Sequence, residues 1–229
     1  MRSRIRTGEG TQVGDSATDI SASPEVERTR RVYRWFSLFY DPFRLLWGWW
    51  TRPIERDLDR LFREGIGTET RILELAPGTG INVERLFRCA EGFESYLGID
   101  SSEEMLEYAR RRSRGDPRIK LQVGDANELE AIGEHFDLII STWLLSHLDH
   151  PEATVENALG KLAPGGIAVF VFVTAPRPAI LRAIVRWLGG PFRFEPVDPE
   201  PIRRLPGLER LSNCASGIAT ITVFRAPAA

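Results

Sequence analysis

"RILELAPGTGINVERLF", residues 71–87, decides how the rest of the chain is read. Ile72, Leu73 and Leu75 make a short apolar run, Pro77-Gly78-Thr79-Gly80 interrupts it, and helical spacing resumes at once. A strand therefore passes through a glycine turn directly into a helix. Three uses of such a turn compete: a phosphate cradle, a pocket for another nucleotide-like cofactor, or a tight strand-to-helix connection.

Outward from this stretch the pattern alternates. Arg71 to Leu75 reads as a strand, Asn82 to Cys89 as a helix, and Tyr96 to Ile99 as a strand ending in Asp100. "SSEEMLEYARRRS" reads as a helix in which Ser101 and Glu104 form a capping box. Ile119 to Val123 is a strand ending in Gly124-Asp125. "FDLIISTWLL" reads as one buried strand, "PEATVENALGKLAPGG" as a helix closed by its Pro-Gly-Gly, and "IAVFVFV" as a strand apolar on both faces. Strands of that kind alternating with helices predict an α/β, doubly wound, mostly parallel sheet. Pro178 to Leu188 reads as an apolar helix, and a Pro-rich stretch follows with a short helix near Glu200 to Arg204. "LERLSNCAS" and "IATITVFRA" predict a closing hairpin around Ser216-Gly217, so the last strand runs antiparallel to the rest.

The N-terminal part differs in composition. Residues 1–23 are rich in Gly, Ser, Thr, Asp and Arg and read as a disordered tail. Residues 24–66 read as a helical aromatic lid, with nine aromatics between Tyr33 and Trp50 and a second helix over about Pro53 to Arg63. Residues 67–229 form the main domain, with an apolar insertion at about 176–200. At 229 residues the chain is long enough for one α/β domain with a full core. A net charge of −2 gives no basic excess for nucleic acid. Cys89 and Cys214 stand far apart and read as buried small hydrophobes, without metal-ligand or disulfide spacing. No signal peptide and no membrane-length apolar run is visible, so a cytoplasmic location is expected.

The chemistry concentrates at three strand ends. Glycine at 78 and 80 lets the backbone approach a ligand closely. Asp100, at the end of the next strand, suits the two hydroxyls of a ribose. Asp125 ends the third strand. In a doubly wound sheet these ends share the carboxyl edge, where ligands bind. A dinucleotide fingerprint would need Gly at position 83, where Val83 stands, and Gly80-Ile81-Asn82 is not a P-loop. Acidic Glu74 disfavours a phosphate and suits a cationic cofactor group.

At this point the chain resembles the class I S-adenosylmethionine-dependent methyltransferases, over about residues 30–225. "LELAPGTGIN", "LGIDSSEEMLEYAR", "LQVGDANEL" and "FDLIISTWLLSHLDHPE" are similar to the family's motifs and follow in order. The resemblance implies a Rossmann-like methyltransferase fold of seven strands and S-adenosylmethionine as cofactor. It places Glu74 and the turn through Gly78 and Gly80 at the methionine part, and Asp100 on the ribose. Ser101 and Met105 would flank the adenine, Asp125 and Ala126 would meet its edge, and Ser141 would face the methionine end. Ala76 stands where the family usually has its first glycine; a methyl there is tolerable if φ is negative, and it narrows the space beside the cofactor.

His147, in "LLSHLDH", is the candidate general base, since its ordinary pKa suits proton transfer near neutrality. "WFSLFYDPF" resembles the lid of methyltransferases that act on quinones and phospholipid head groups, with Tyr40 and Asp41 matching a Tyr-Asp pair. That implies a small hydrophobic or amphipathic acceptor and places Tyr40 beside the cofactor. The aromatic segment is also a candidate for peripheral membrane contact. Two other readings stay open: a specialised-metabolite O- or N-methyltransferase, and a protein that binds the cofactor without turnover. Neither acceptor identity nor oligomeric state is read from the sequence.

Overall fold

The computed structural model describes residues 51–192 and 194–228. The tail at 1–23, the lid residues 24–50 and Tyr40 lie outside these described residues.

Seven strands form one sheet: β1 (Arg71–Leu75), β2 (Ser95–Asp100), β3 (Ile119–Val123), β4 (Phe136–Thr142), β5 (Leu162–Val173), β6 (Leu208–Cys214) and β7 (Ala219–Arg225). Their order across the sheet is β3-β2-β1-β4-β5-β7-β6. The first five run parallel, and β7 pairs antiparallel with both β5 and β6. The predicted parallel sheet with a reversed last strand is therefore present, and the reversed strand slots between β5 and β6. The strand order reverses beside β1, which places a ligand crevice at the carboxyl ends of β1 and β4.

The helices are α1 (51–65), α2 (Ile81–Cys89), α3 (Glu103–Arg112), α4 (Pro151–Leu159), α5 (Ala179–Phe192) and α6 (Pro199–Arg203). Alternation along the inner strands feeds two apolar layers. Leu73, Leu75 and Ile139 join Phe170, Val155 and Ala158 on one face, while Ile72, Leu138 and Ile140 join Phe62, Val83 and Leu86 on the other. Helix α1 lies along this second face: Phe62 and Ile66 pack with β1 and β4, and Ile54 and Leu58 pack on Val169, Val171, Ala219 and Ile221. Each such fully buried side chain stabilises the fold by roughly 1.5–3 kcal/mol. The helix predicted over Pro53 to Arg63 is thus longer by a few residues.

Three local expectations are corrected. The cap of α3 is Ser102, not Ser101: Ser102 is extended (φ −106°) and its Oγ accepts from Met105 N at 3.2 Å. Asp100 Oδ1 accepts from Ser102 N, which holds the chain outside the helix one residue longer than the capping-box spacing implied. The strand at "FDLIISTWLL" ends at Thr142, because Trp143 turns left-handed (φ 72°) and starts a 3₁₀ turn, Leu144–His147. The Pro164-Gly165-Gly166 stretch does not close α4, which stops at Leu159; it lies in β5 as an irregularity between the Phe136–Leu162 and Leu138–Ile167 pairings. Of the two cysteines, Cys89 is buried and Cys214 only partly so; neither is in a disulfide.

Candidate active site

The turn after β1 is built by backbone geometry. Ala76, Gly78 and Gly80 all have positive φ (55°, 55° and 82°). The two glycines are required for different reasons. A Cβ on Gly78 would meet nothing within 4 Å, so Gly78 is a left-handed residue facing open space. A Cβ on Gly80 would lie 2.7 Å from Ala109 Cα, so Gly80 lets α2 and α3 approach each other. Ala76 has a Cβ in a region L-residues avoid, at a cost of order 1 kcal/mol. The condition that a methyl there be carried at negative φ does not hold.

Asp100 joins the second strand to this turn. Its Oδ2 accepts from Gly78 N and its Oδ1 from Ser102 N, both at 2.9 Å. Burial pushes its carboxyl above the usual range, opposed by the N–H groups of Ser102, Gly78 and Ser101. A buried carboxylate with each oxygen still able to accept another bond is chemically suited to a vicinal diol. Met105 and Ala126 are buried nearby in sequence, on α3 and after β3. Asp125 is partly exposed; its Oδ1 accepts from Asn127 N (2.8 Å) and Asn127 Nδ2 (2.9 Å), an Asx turn that leaves its second oxygen for a ligand edge.

Glu74 is 1% exposed and lies in β1, two residues before Ala76. Tyr96 Oη and Asn82 Nδ2 donate to its two oxygens, the latter at 2.6 Å. Burial lifts its carboxyl from 4.5 to about 7. Asn82 in turn accepts from Arg85, whose guanidinium also pairs with Glu55 and, at 2.8 Å, with Asp59. Arg85 thereby fastens α1 to α2 through a side chain only 3% exposed. The sequence reading did not single out Arg85, Asn82 or Tyr96. Arg85 sits among residues of an ordinary amphipathic helix; the one available signal was an arginine on the face that Val83, Leu86 and Cys89 bury.

A cleft partly open to solvent is lined by the Ala76–Thr79 turn, Ile81, Asn82, Arg85, Thr142 and Trp143, with Ile54, Glu55 and Leu58 of α1 closing one side. Ser141 is fully buried at the end of β4, opposite Leu75, and among the described residues its Oγ has no hydrogen-bond partner. The Thr79 hydroxyl is in the same condition. Orphaned buried hydroxyls at a crevice are the groups a polar ligand satisfies. An acidic ribose site, an open left-handed turn and unpaired hydroxyls at adjoining strand ends fit an adenosyl cofactor with an amino-acid tail. His147 ends the 3₁₀ turn beyond β4, partly buried, its ring edge-on to Phe194 at a centroid distance of 6.4 Å. Among the described residues no group of three His, Cys, Asp or Glu side chains could hold a metal.

Comparison with known proteins agrees with this geometry. Residues 72–166 match the family model described as a methyltransferase domain. A phosphatidylethanolamine N-methyltransferase of Cereibacter sphaeroides is 30% identical over 167 residues, covering 68% of this chain and 79% of that protein. A demethylmenaquinone methyltransferase of Clavibacter sepedonicus is 35% identical over 113 residues, 49% of this chain and 45% of that protein, so the match spans less than half of the latter. The crystal structure of the N-methyltransferase NodS from Bradyrhizobium japonicum WM9 in complex with S-adenosyl-L-homocysteine superimposes with a TM-score of 0.59 at 22% identity, covering 77% of this chain and 87% of that one. The chain belongs to the class I S-adenosylmethionine-dependent methyltransferases. The cofactor of that family is S-adenosylmethionine, whose product form occupies the NodS structure.

Proposed function

We propose that this chain is an enzyme that transfers the methyl group of S-adenosylmethionine to a small hydrophobic or amphipathic acceptor, of the quinone or phospholipid head-group kind. The observation that carries the reading is the bond between the buried Asp100 carboxylate and the Gly78 amide, which joins a ribose site to an open glycine turn. The acceptor class is supported by the relatives, named for demethylmenaquinone and phosphatidylethanolamine. Apolar Ile54, Leu58 and Trp143 in the pocket wall are consistent with it.

Asp100 would hold the ribose hydroxyls, and the Ala76–Gly80 turn with Ser141 would hold the amino-acid tail. Ser101, Met105, Asp125 and Ala126 would border the base, and Tyr40 would close the site from the lid. When bound, the cofactor supplies an electrophilic methyl on a positively charged sulfur. The chain's own contribution is alignment and exclusion of water, with reacting atoms held ~3–3.5 Å apart. Where the acceptor is a phenol or enol, His147 takes its proton; an amine acceptor needs no such base. No described helix is long and apolar enough to cross a membrane.

The test is a screen of labelled methyl incorporation across quinones, phospholipids, thiols and phenols, run beside calorimetry with S-adenosylhomocysteine. Tight cofactor binding with methylation of a quinone or phospholipid supports the reading. Cofactor binding with no incorporation into any acceptor class contradicts it.

A further inference from the structure

Helix α5 turns a row of apolar side chains to water. Ile180 is 73% exposed and Trp187 76%, with exposed Ala183 between them. Spacings of three and four put these residues on one stripe, ~10 Å long. The helix is seated on the fold elsewhere on its surface: Val185 is buried with Val173, at the carboxyl end of β5, and with Ile218. Because β5 lies parallel beside β4, α5 stands at the sheet edge that carries the crevice. A tryptophan held out in this way suits a boundary that is apolar on one side and wet on the other.

The cations beside the stripe are unpaired. Arg177, Arg182 and Arg186 are exposed, and no Asp or Glu occurs between Glu156 and Glu195. Arg110, Arg118 and Arg225 sit in ion pairs on other faces, whereas among the described residues none of these three does. Arg182 and Arg186, four residues apart, line one edge of the stripe. Arg182 Nη1 donates to the Arg177 carbonyl at 3.1 Å, which draws its head group towards the start of the helix. Asp198 shares a cleft with Arg177, but its Oδ1 is engaged in capping α6 by accepting from Glu200 N at 3.0 Å. At 14 residues, or ~21 Å, α5 falls short of the ~20 apolar residues that span a bilayer. A stripe of three side chains also falls short of the ~800 Å² per partner of a stable protein interface. Pairing two copies through it would set the arginines of one against those of the other.

We propose that α5 is a docking helix for an anionic lipid surface. Ile180, Ala183 and Trp187 enter the boundary between head groups and acyl chains, while Arg177, Arg182 and Arg186 meet the lipid phosphates, their carbon stems lying along the apolar layer. Seated so, α5 holds the carboxyl end of β5 next to the bilayer. The inference goes beyond the methyltransferase reading and does not depend on which acceptor is methylated.

The experiment is co-sedimentation of the full chain with vesicles of equal parts phosphatidylglycerol and phosphatidylcholine, and with vesicles of phosphatidylcholine alone, at low and high salt. Wild type is expected to bind the anionic vesicles, and to bind them less at high salt. Trp187→Ser and Ile180→Ser should each weaken that binding, the former by about tenfold or more. The double variant Arg182→Gln, Arg186→Gln should lose about tenfold and most of the salt dependence, while Arg182→Lys, Arg186→Lys retains both. All of these side chains are exposed, so S-adenosylhomocysteine affinity by calorimetry should stay within about twofold of wild type. Absence of wild-type binding to anionic vesicles overturns the proposal. Vesicle binding unchanged in Trp187→Ser also overturns it, since the contact then belongs to another segment, such as the aromatic residues 33–50. So does a concentration-dependent dimer in sedimentation velocity that Trp187→Ser dissolves. Failure to bind S-adenosylhomocysteine would defeat the methyltransferase reading and leave the vesicle result to decide this one.

Discussion

Asp100 and Gly78 are 22 residues apart in sequence and joined by a 2.9 Å hydrogen bond from the Gly78 amide to Oδ2. The bond ties the end of β2 to the turn after β1, so the proposed ribose site and the proposed tail site are set by one contact. Asp100→Ala removes both the diol acceptor and the anchor of the turn. Calorimetry with S-adenosylhomocysteine should show a loss of about a hundredfold, the scale of losing two charge-assisted hydrogen bonds. Asp100→Asn keeps the shape but offers one acceptor oxygen, and should fall between. Near-normal affinity in Asp100→Ala contradicts the assignment.

Glu74 sets a pH dependence. Burial raises its carboxyl to about 7, so the folded chain retains a proton that the unfolded chain loses above about 4.5. The folded state binds more protons in that window, and stability is present below the lower value and is lost as pH rises towards 7. The slope is of order 1 kcal/mol per pH unit for one group. Urea melts at pH 5, 6 and 7 should show it in wild type and not in Glu74→Gln. A cationic ligand beside Glu74 favours its ionised form, so cofactor affinity should increase from pH 6 to 8, with proton release detectable from the buffer dependence of the binding heat.

Arg85 predicts a stability effect at a distance from the chemistry. Its buried guanidinium meets Asp59, Glu55 and Asn82, and its carbon plane lies over Phe62 at 5.7 Å. Burial pushes the Asp59 carboxyl up, but Arg85 and Arg88 together hold it below its usual range. Arg85→Met takes the buried guanidinium from Glu55 and leaves Asp59 with Arg88, both carboxylates being 30% exposed, so the cost should be about 2–3 kcal/mol, below that of a fully buried pair. In an Arg85→Met, Asp59→Asn cycle the two losses should be less than additive; simple additivity would show that the ion pair contributes nothing.

The turn glycines make opposed predictions. Ala76→Gly removes a strained Cβ and should raise the melting temperature by about 1–4 °C, the strain relief being partly offset by unfolded-state entropy. Gly80→Ala drives a Cβ into Ala109 at positive φ and should lower it well beyond that range. Thermal scans of the two variants side by side check both signs.

The fold was legible because β4 and β5 carry continuous apolar runs, which only a doubly covered strand tolerates, and β1 is apolar from Ile72 to Leu75 except at Glu74. Of the candidate site, the glycine turn and the acidic strand end were legible as residue types, and the structure joins Gly78 to Asp100 by a hydrogen bond. What the sequence did not disclose depends on long-range contact. Nothing near Arg85 in the chain announces that Glu55 and Asp59 lie across from it. The reach of "FDLIISTWLL" misled because Trp143 is an excellent strand residue by propensity, yet it sits at φ 72° and opens the 3₁₀ turn Leu144–His147. Ser101 lost the cap to Ser102 because Asp100, itself a site residue, claims the Ser102 amide.

The most direct measurement is a crystal structure of the chain with S-adenosylhomocysteine. The predicted density has its two ribose hydroxyls on the Asp100 carboxylate and its amino-acid tail along the turn from Ala76 to Gly80. A nucleoside bound away from Asp100, or crystals that take up none of the compound at saturating concentration, would contradict the account.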